Sequence, residues 1–224
     1  MGSMYFGSER GLFVATVALA SFGLTFAAQA QSKNAAAQTN TQTAKSAKNE
    51  DAQLYRNTAF GFRYPIPYGW VDRTKEMHEG SEAGKAEVLL AVFERPPEAT
   101  GDTINSAVVF ASESVASYPG LKKAEDYLGP LMELTTSKGF APDGEPYLLE
   151  EESRQLLRAD FVKSLEVKTT NSKLTMRQCT LVLLAKGQIV SFTFIAGSED
   201  EIDDLMDGLH FGATKSATGK SSTH

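Results

Sequence analysis

Gly61-Phe62-Arg63-Tyr64-Pro65-Ile66-Pro67-Tyr68-Gly69-Trp70, GFRYPIPYGW, puts two prolines and four aromatics into ten residues and holds the only tryptophan of the chain. Phe60 to Tyr64 reads as a strand. Proline fixes φ and removes a ladder donor, so Pro65 ends that strand and Pro65-Ile66-Pro67 holds an extended bend. Gly69 then permits a tight turn, and Trp70 brings a large apolar surface to the edge of a core. The stretch reads as a corner of the fold. Tyr64 or Tyr68 lining a binding groove is the alternative.

Downstream of the corner, strand signals dominate. EVLLAVFE (87–94) and INSAVVFAS (104–112) are nearly continuous apolar runs, expected of strands covered on both faces and joined by the Pro96-Pro97 loop. RQLLRADFVKSL, KLTMRQCTLVLLAK and QIVSFTFIA give three more, with a short hairpin connection at Lys186-Gly187-Gln188. In the last of these Val190, Phe192 and Phe194 share one face, and Ser191 and Thr193 the other.

Two helices are predicted. One runs from Ser198, an N-cap with Glu201 completing a capping box, to about Leu209, and buries Ile202, Leu205, Met206 and Leu209 along one stripe. The other spans about Leu121 to Lys138, with Leu121, Ala124, Leu128, Leu131 and Met132 on one stripe, a kink or interruption at Pro130, and Gly139 at its end. Residues 72–86 and 95–103 read as adaptable loops. Antiparallel strands with helices that each bury one stripe define an α+β layered domain.

The chain of 224 residues frames this unit with segments of other kinds. GLFVATVALASFGLTFAA after Arg10, followed by Ala28-Gln29-Ala30, reads as a signal peptide over residues 1–30 with cleavage after Ala30; an uncleaved anchor is the alternative and the only route to a membrane. Residues 31–53 lack aromatics, Leu, Ile and Val and read as a disordered linker. Residues 213–224 read likewise as a tail. The folded unit is therefore 54–212, and the mature protein is expected to be periplasmic or extracellular. Of the chain's formal −6, the linker contributes +1 and the tail +2, which leaves −9 on the domain. Such a charge argues against nucleic acid and against an anionic membrane face.

Phe60-Gly61-Phe62, Tyr64 and Pro67-Tyr68-Gly69-Trp70 at one end, and GQIVSFTFIAGSEDEIDDLMDGLHF at the other, resemble the PsbP-like domains. That family shares its fold with the Mog-type Ran-binding proteins and with exported bacterial proteins of unknown role. The resemblance implies a central antiparallel β-sheet with helices packed on both sides, an α/β/α sandwich. It supplies no catalytic residue, and nothing in the sequence transfers the support of the oxygen-evolving centre given by its photosynthetic members.

The common catalytic signatures are missing. G-x-S-x-G, H-E-x-x-H, G-x-x-x-x-G-K-[ST] and G-x-G-x-x-G are all absent, so no catalytic residue, cofactor site or metal site is assigned. The sole cysteine, Cys179, cannot form an intrachain disulfide and reads as a buried strand residue, with a reactive thiol near Arg177 as the alternative. His78, beside Glu76 and Glu79, is the one histidine with a claim to a site. Asp203, Asp204 and Asp207 lie on an exposed helical face but lack a calcium-loop pattern. The leading expectation is a non-catalytic exported binding or accessory domain with an envelope or extracellular protein partner, acting through its surface or a groove between sheet and helix. The alternative is a small-ligand carrier or enzyme with an apolar pocket in which Arg154, Arg158 or His78 is the polar group; Tyr64, Tyr68, His78 and Arg158 are the candidate binding residues.

Overall fold

The computed structural model describes residues 53–79, 86–99, 101–167 and 172–212; the expected signal peptide, nearly all of the linker, and the tail lie outside them. In chain order the strands are β1 (Leu54–Asn57), β2 (Phe62–Pro65), β3 (Val71–Asp72), β4 (Ala86–Phe93), β5 (Ala107–Ser114), β6 (Ala141–Pro142), β7 (Tyr147–Glu151), β8 (Arg154–Val167), β9 (Ser172–Ala185), β10 (Gln188–Ala196) and β11 (His210–Phe211). The helices are α1 (Thr74–Glu79), α2 (Leu128–Ser137) and α3 (Glu199–Met206). The fold is α+β and mostly antiparallel sheet.

The large sheet has the order β3-β4-β5-β10-β9-β8-β6, with β7 also paired to β8, and a small sheet has the order β1-β2-β11. Every pairing among the described residues is antiparallel. Register sets Phe192 of β10 opposite Phe110 of β5 and Leu181 of β9, so the even-numbered residues of β10 meet one face of their neighbours. On that face Val108, Phe110, Cys179, Leu181, Val190, Phe192 and Phe194 form a core with Phe62 and Tyr64 of β2, Phe211 of β11, and Ile202 and Leu205 of α3. The opposite face packs Leu157, Phe161, Val182 and Ile189 against Tyr127, Leu131 and Phe140. Met77 of α1 joins a further cluster with Val88, Phe93 and Val109.

The opening stretch makes the corner. Trp70 N–H donates to the Pro67 carbonyl at 3.2 Å, and Gly69 has φ +82 with open space where a Cβ would stand. It is the φ > 0 demanded at the third position of a type II turn, and not a lack of space, that selects glycine there. Strand β2 presents Phe62 and Tyr64 inward, and the Tyr64 hydroxyl donates to the Leu205 carbonyl at 3.1 Å.

Several elements differ from expectation for identifiable reasons. The helix expected from Leu121 is a 3-10 turn at Ala124–Tyr127 followed by α2 from Leu128. Pro130 therefore sits in the first helical turn, where an N–H has no intrahelical acceptor and its loss neither kinks nor costs. Ser198 caps α3 by accepting from Glu201 N–H at 3.2 Å, but the Glu201 carboxylate does not close a capping box onto Ser198. It accepts from Gly197 N–H at 3.2 Å and from the Ser106 hydroxyl at 2.5 Å, tying the helix to the start of β5. Helix α3 ends at Met206 and not near Leu209, though Leu209 is still buried. Residues 72–86, expected as loop, include the end of β3 and the short helix α1.

Buried Glu113 at the end of β5 is satisfied by two phenols, accepting from Tyr118 at 2.5 Å and Tyr127 at 2.8 Å. Burial, reinforced by the Glu113 carboxylate, pushes both phenols well above their ordinary value of 10.0. Their neutral forms therefore stabilise the fold fully below the unfolded tyrosine value of about 10, and that contribution falls as pH rises beyond it. The melting temperature should decline above about pH 10. Glu113→Gln should destabilise the protein by about 1–3 kcal/mol at neutral pH and flatten that decline, as read by calorimetry across pH.

A Cβ at Gly208 would lie 2.8 Å from Tyr64 Cε2 in the packed core. Gly208→Ala should therefore destabilise by about 1–3 kcal/mol in urea titration. Combined with Tyr64→Leu in the same chain it should cost less than the sum of the two single changes, since the clash is relieved when the ring is gone.

Candidate functional site

Strand β8 carries Arg158 and Asp160 two residues apart, and β9 carries Arg177 and Cys179 in the same way. Period-2 geometry puts all four on the face that also bears α3. Helix α3 covers β9 and β10 at the centre of the sheet. Beyond its reach the polar residues of β8 and β9 line a groove of about 250 Å³ with Asp143, Gly144, Glu199, Ile202 and Asp203.

The groove is held by ion pairs between separate elements. Arg158 Nε donates to both oxygens of Asp160, at 3.2 and 2.9 Å, and its Nη2 lies 3.8 Å from Asp203 of α3. Its guanidinium also stands 5.8 Å from the centre of the Tyr147 ring on β7. Burial opposes the Arg158 charge, but the Asp160 hydrogen bond and its neighbours outweigh it and hold the group above the ordinary arginine value. Arg177 Nη1 bridges Asp143 at 2.5 Å and Glu199 at 3.0 Å. Four carboxylates meet two guanidinium groups, so the groove is acidic. The side chains remain partly exposed, and each pair is worth at most about 1 kcal/mol.

The candidate binding residues scatter. Arg158 lies in the groove. Tyr64 is buried in the core with its hydroxyl committed to Leu205, which removes it from any surface. Tyr68 is 80% exposed at the corner turn, far in sequence from every groove residue. His78 lies on α1 beside a separate, open depression lined by Asp72, Thr74, Lys75, Glu76 and Val88. Arg154, on the same face of β8 as Arg158, has its guanidinium 5.9 Å from the Phe211 ring. Asp143, Arg177 and Glu199 do not stand out as a site in the sequence. The signal available is the i, i+2 spacing of Arg158 with Asp160 and of Arg177 with Cys179, but only the fold brings α3 over both.

Cys179 is fully buried, opposite Asp160 in the β8–β9 register. Burial first, and the Asp160 carboxylate next, push its thiol well up, overriding the opposing effect of Arg158. A thiol so placed is a core side chain. Among the described residues no three His, Cys, Asp or Glu side chains are grouped to hold a metal ion, and no helix is long and apolar enough to cross a membrane.

No family model matches the sequence, and no curated protein sequence matches it. Solved structures do. The chain is similar to cyanobacterial PsbP (CyanoP) from Synechocystis sp. PCC 6803, with 14% identity over 75% of this chain and 98% of that one and a TM-score of 0.47. It is similar to LpqN of Mycobacterium tuberculosis, with 14% identity, 74% and 88% of the two chains covered, and a TM-score of 0.39. The Saccharomyces cerevisiae Ran-binding protein Mog1p gives 9% identity, coverage of 72% and 95%, and a TM-score of 0.41. These are structures of the PsbP-like and Mog-type kinds named by the resemblance of the opening corner and the closing strand and helix, and the likeness is one of fold at low identity.

Cys179 should not react with a thiol reagent in the folded protein at pH 8 but should release one equivalent in denaturant, as Ellman's reagent reports. Rapid labelling of the native protein would return the reactive reading.

Proposed function

We propose that this is an exported, non-catalytic binding or accessory domain that engages a protein partner at the groove between β8, β9 and α3. The carrying observation is that three separately folded pieces, the β6–β7 connection, the β8–β9 edge and α3, place charged groups around one concave surface. Those groups are ion-paired with one another, and the single thiol beneath them is sealed in the core. Such a surface presents charge to a partner; it does not assemble a nucleophile with a base.

The alternative of a small-ligand carrier requires an apolar pocket, and small-molecule sites are mostly apolar cavities of about 300–1,000 Å³. The sheet–helix groove is smaller and lined by charged side chains, which favours the protein partner. The leader with its Ala28-Gln29-Ala30 site supports export to the periplasm or the medium. The clusters on the two faces of the large sheet, with α3 against one and α1 and α2 against the other, support the α/β/α arrangement implied by the resemblance.

Native mass spectrometry of the protein isolated gently from its own cells tests this reading. A stoichiometric protein partner is expected, lost on Glu199→Lys with Asp203→Lys, exposed changes that give up two ion pairs of at most about 1 kcal/mol each and should leave the protein folded, as its melting curve checks. A bare monomer carrying a few hundred daltons of extra mass would overturn it in favour of the carrier.

A further inference from the structure

The large sheet has two ends, and they are finished differently. At the β4 end the ladder is continued by β3 for two residues, after which Arg73 N–H donates to the Ala91 carbonyl at 2.8 Å and the Thr74 hydroxyl accepts from Ala91 N–H at 2.9 Å. Helix α1 then covers the edge. At the other end β7 pairs with β8 over five residues, from Tyr147↔Arg158 to Glu151↔Arg154. Among the described residues no strand pairs with its outer side.

That open strand is also where apolar side chains are exposed. Tyr147 and Leu148 are 47% and 42% exposed, two of the four large hydrophobics so exposed among the described residues. They point to opposite faces of the edge. Tyr147 is pre-set by the Arg158 guanidinium 5.8 Å from its ring, and Arg158 is itself fixed by Asp160. Leu149, between Leu148 and Glu150, packs on the core and holds the strand against the sheet. Natural edges are protected by lysines, prolines, bulges or a cover. Residues 143–153 have one of these, Pro146 just before the strand, and otherwise carry Asp143, Glu145, Glu150, Glu151 and Glu152 with no lysine or arginine.

We propose that β7 is a strand-addition site for an extended, basic segment of the protein partner, one that pairs antiparallel with Tyr147–Glu151. The proposal rests on the binding-domain reading and names the chemistry of its partner. Main-chain hydrogen bonds supply affinity in this mode, and side chains facing Tyr147, Leu148, Glu150 and Glu151 supply selectivity. The fitting segment reads basic-basic-x-apolar-apolar from its amino end, so that cations face Glu151 and Glu150 and apolar groups face Leu148 and Tyr147. A second copy of this chain fits worse. Antiparallel pairing of two β7 strands about Leu149 sets Glu150 opposite Leu148 and Glu151 opposite Tyr147, with no cation in the facing strand to answer either carboxylate, and brings two domains of formal −9 together.

The probe is a fluorescein-labelled peptide, Lys-Lys-Thr-Val-Phe, titrated into the purified protein by anisotropy, with Glu-Glu-Thr-Val-Phe as its charge-reversed control. Saturable binding of the basic peptide is expected, with backbone amide protection from exchange gained at 147–151, and weakened about tenfold by Glu150→Lys with Glu151→Lys. Equal binding of both peptides, protection on α3 instead of β7, or indifference to the double change would overturn the proposal. So would a concentration-dependent dimer that protects 147–151, which would make the occupant a second copy. The native partner separates this proposal from the reading beneath it. A partner retained by the β7 variant but lost from the Glu199→Lys, Asp203→Lys variant removes the edge site and keeps the groove. A partner retained by both removes both.

Discussion

The ring of Phe62 stands edge-on to Phe110 at 5.6 Å and to Phe192 at 4.9 Å, and the arrangement of the whole domain follows from those two contacts. Phe110 and Phe192 are opposite one another on β5 and β10, at the centre of the large sheet. Phe62 comes from the small sheet, whose strand β2 pairs with β11 near the other end of the described chain. Phe211 of β11 adds its own edge-on contact with Phe192 at 5.8 Å. The aromatic group therefore closes a loop that runs from Phe62 to Phe211 and fastens both ends of the domain over one face. Each such pair contributes about 0.5–1.5 kcal/mol beyond the area it buries. The alternatives to that packing would leave the apolar middle of a wide sheet in water.

With β2 and β11 fixed there, the position of α3 has little freedom. It must bridge from Ala196, at the end of β10, to His210, at the start of β11, and only a short helix fits between. Two contacts set its height above the sheet: the Tyr64 hydroxyl on the Leu205 carbonyl, and the bare backbone of Gly208 against the Tyr64 ring. At its amino end Glu201 holds the Ser106 hydroxyl. A helix so short cannot also cover β8. The polar pair Arg158 and Asp160 is left at the margin of an otherwise apolar face, and the groove is the space between that margin and α3. Its existence is a consequence of helix length and not of a separate architectural element.

The parts of this fold legible in the sequence are those where a local rule and the tertiary structure agree. The strands β4, β5 and β10 and the second half of β9 appear as apolar runs because both of their faces are covered. Lys186 and Gly187 both have positive φ, the requirement of a two-residue hairpin, and the glycine marks it. The equivalent connection between β7 and β8 was not legible, because Glu152 and Ser153 adopt positive φ without a glycine to mark them. Glu152 is held there by a tertiary contact, accepting from Phe211 N–H. Strand β7 itself, Tyr-Leu-Leu-Glu-Glu, shows no alternation that distinguishes it from a loop, and it becomes a strand because β8 extends beyond its other partners. Of the site, Arg158 was legible as a charged residue in a strand. Its partner Asp203 on α3 was not, since helix and strand are far apart in the chain and nothing local couples them.

The charges also explain why the groove arginines are poor candidates for direct recognition, despite being its most conspicuous groups. Each is already held by carboxylates of its surroundings, and a ligand that took Arg177 would have to release Asp143 and Glu199 while leaving both without a cation. Stripping one partner from a partly buried pair costs more than the pair contributes. The carboxylates are the less constrained side. Asp200, Asp203 and Asp204 stand at the surface of α3, and Asp203 reaches Arg158 only at 3.8 Å. An incoming cation can meet Asp200 and Asp204 without touching the ion pairs that tie α3 to the sheet. The fixed arginines then act as positioning groups, setting α3 and Tyr147 at a defined separation, and the acidic rim on either side is the part of the surface free to choose a partner.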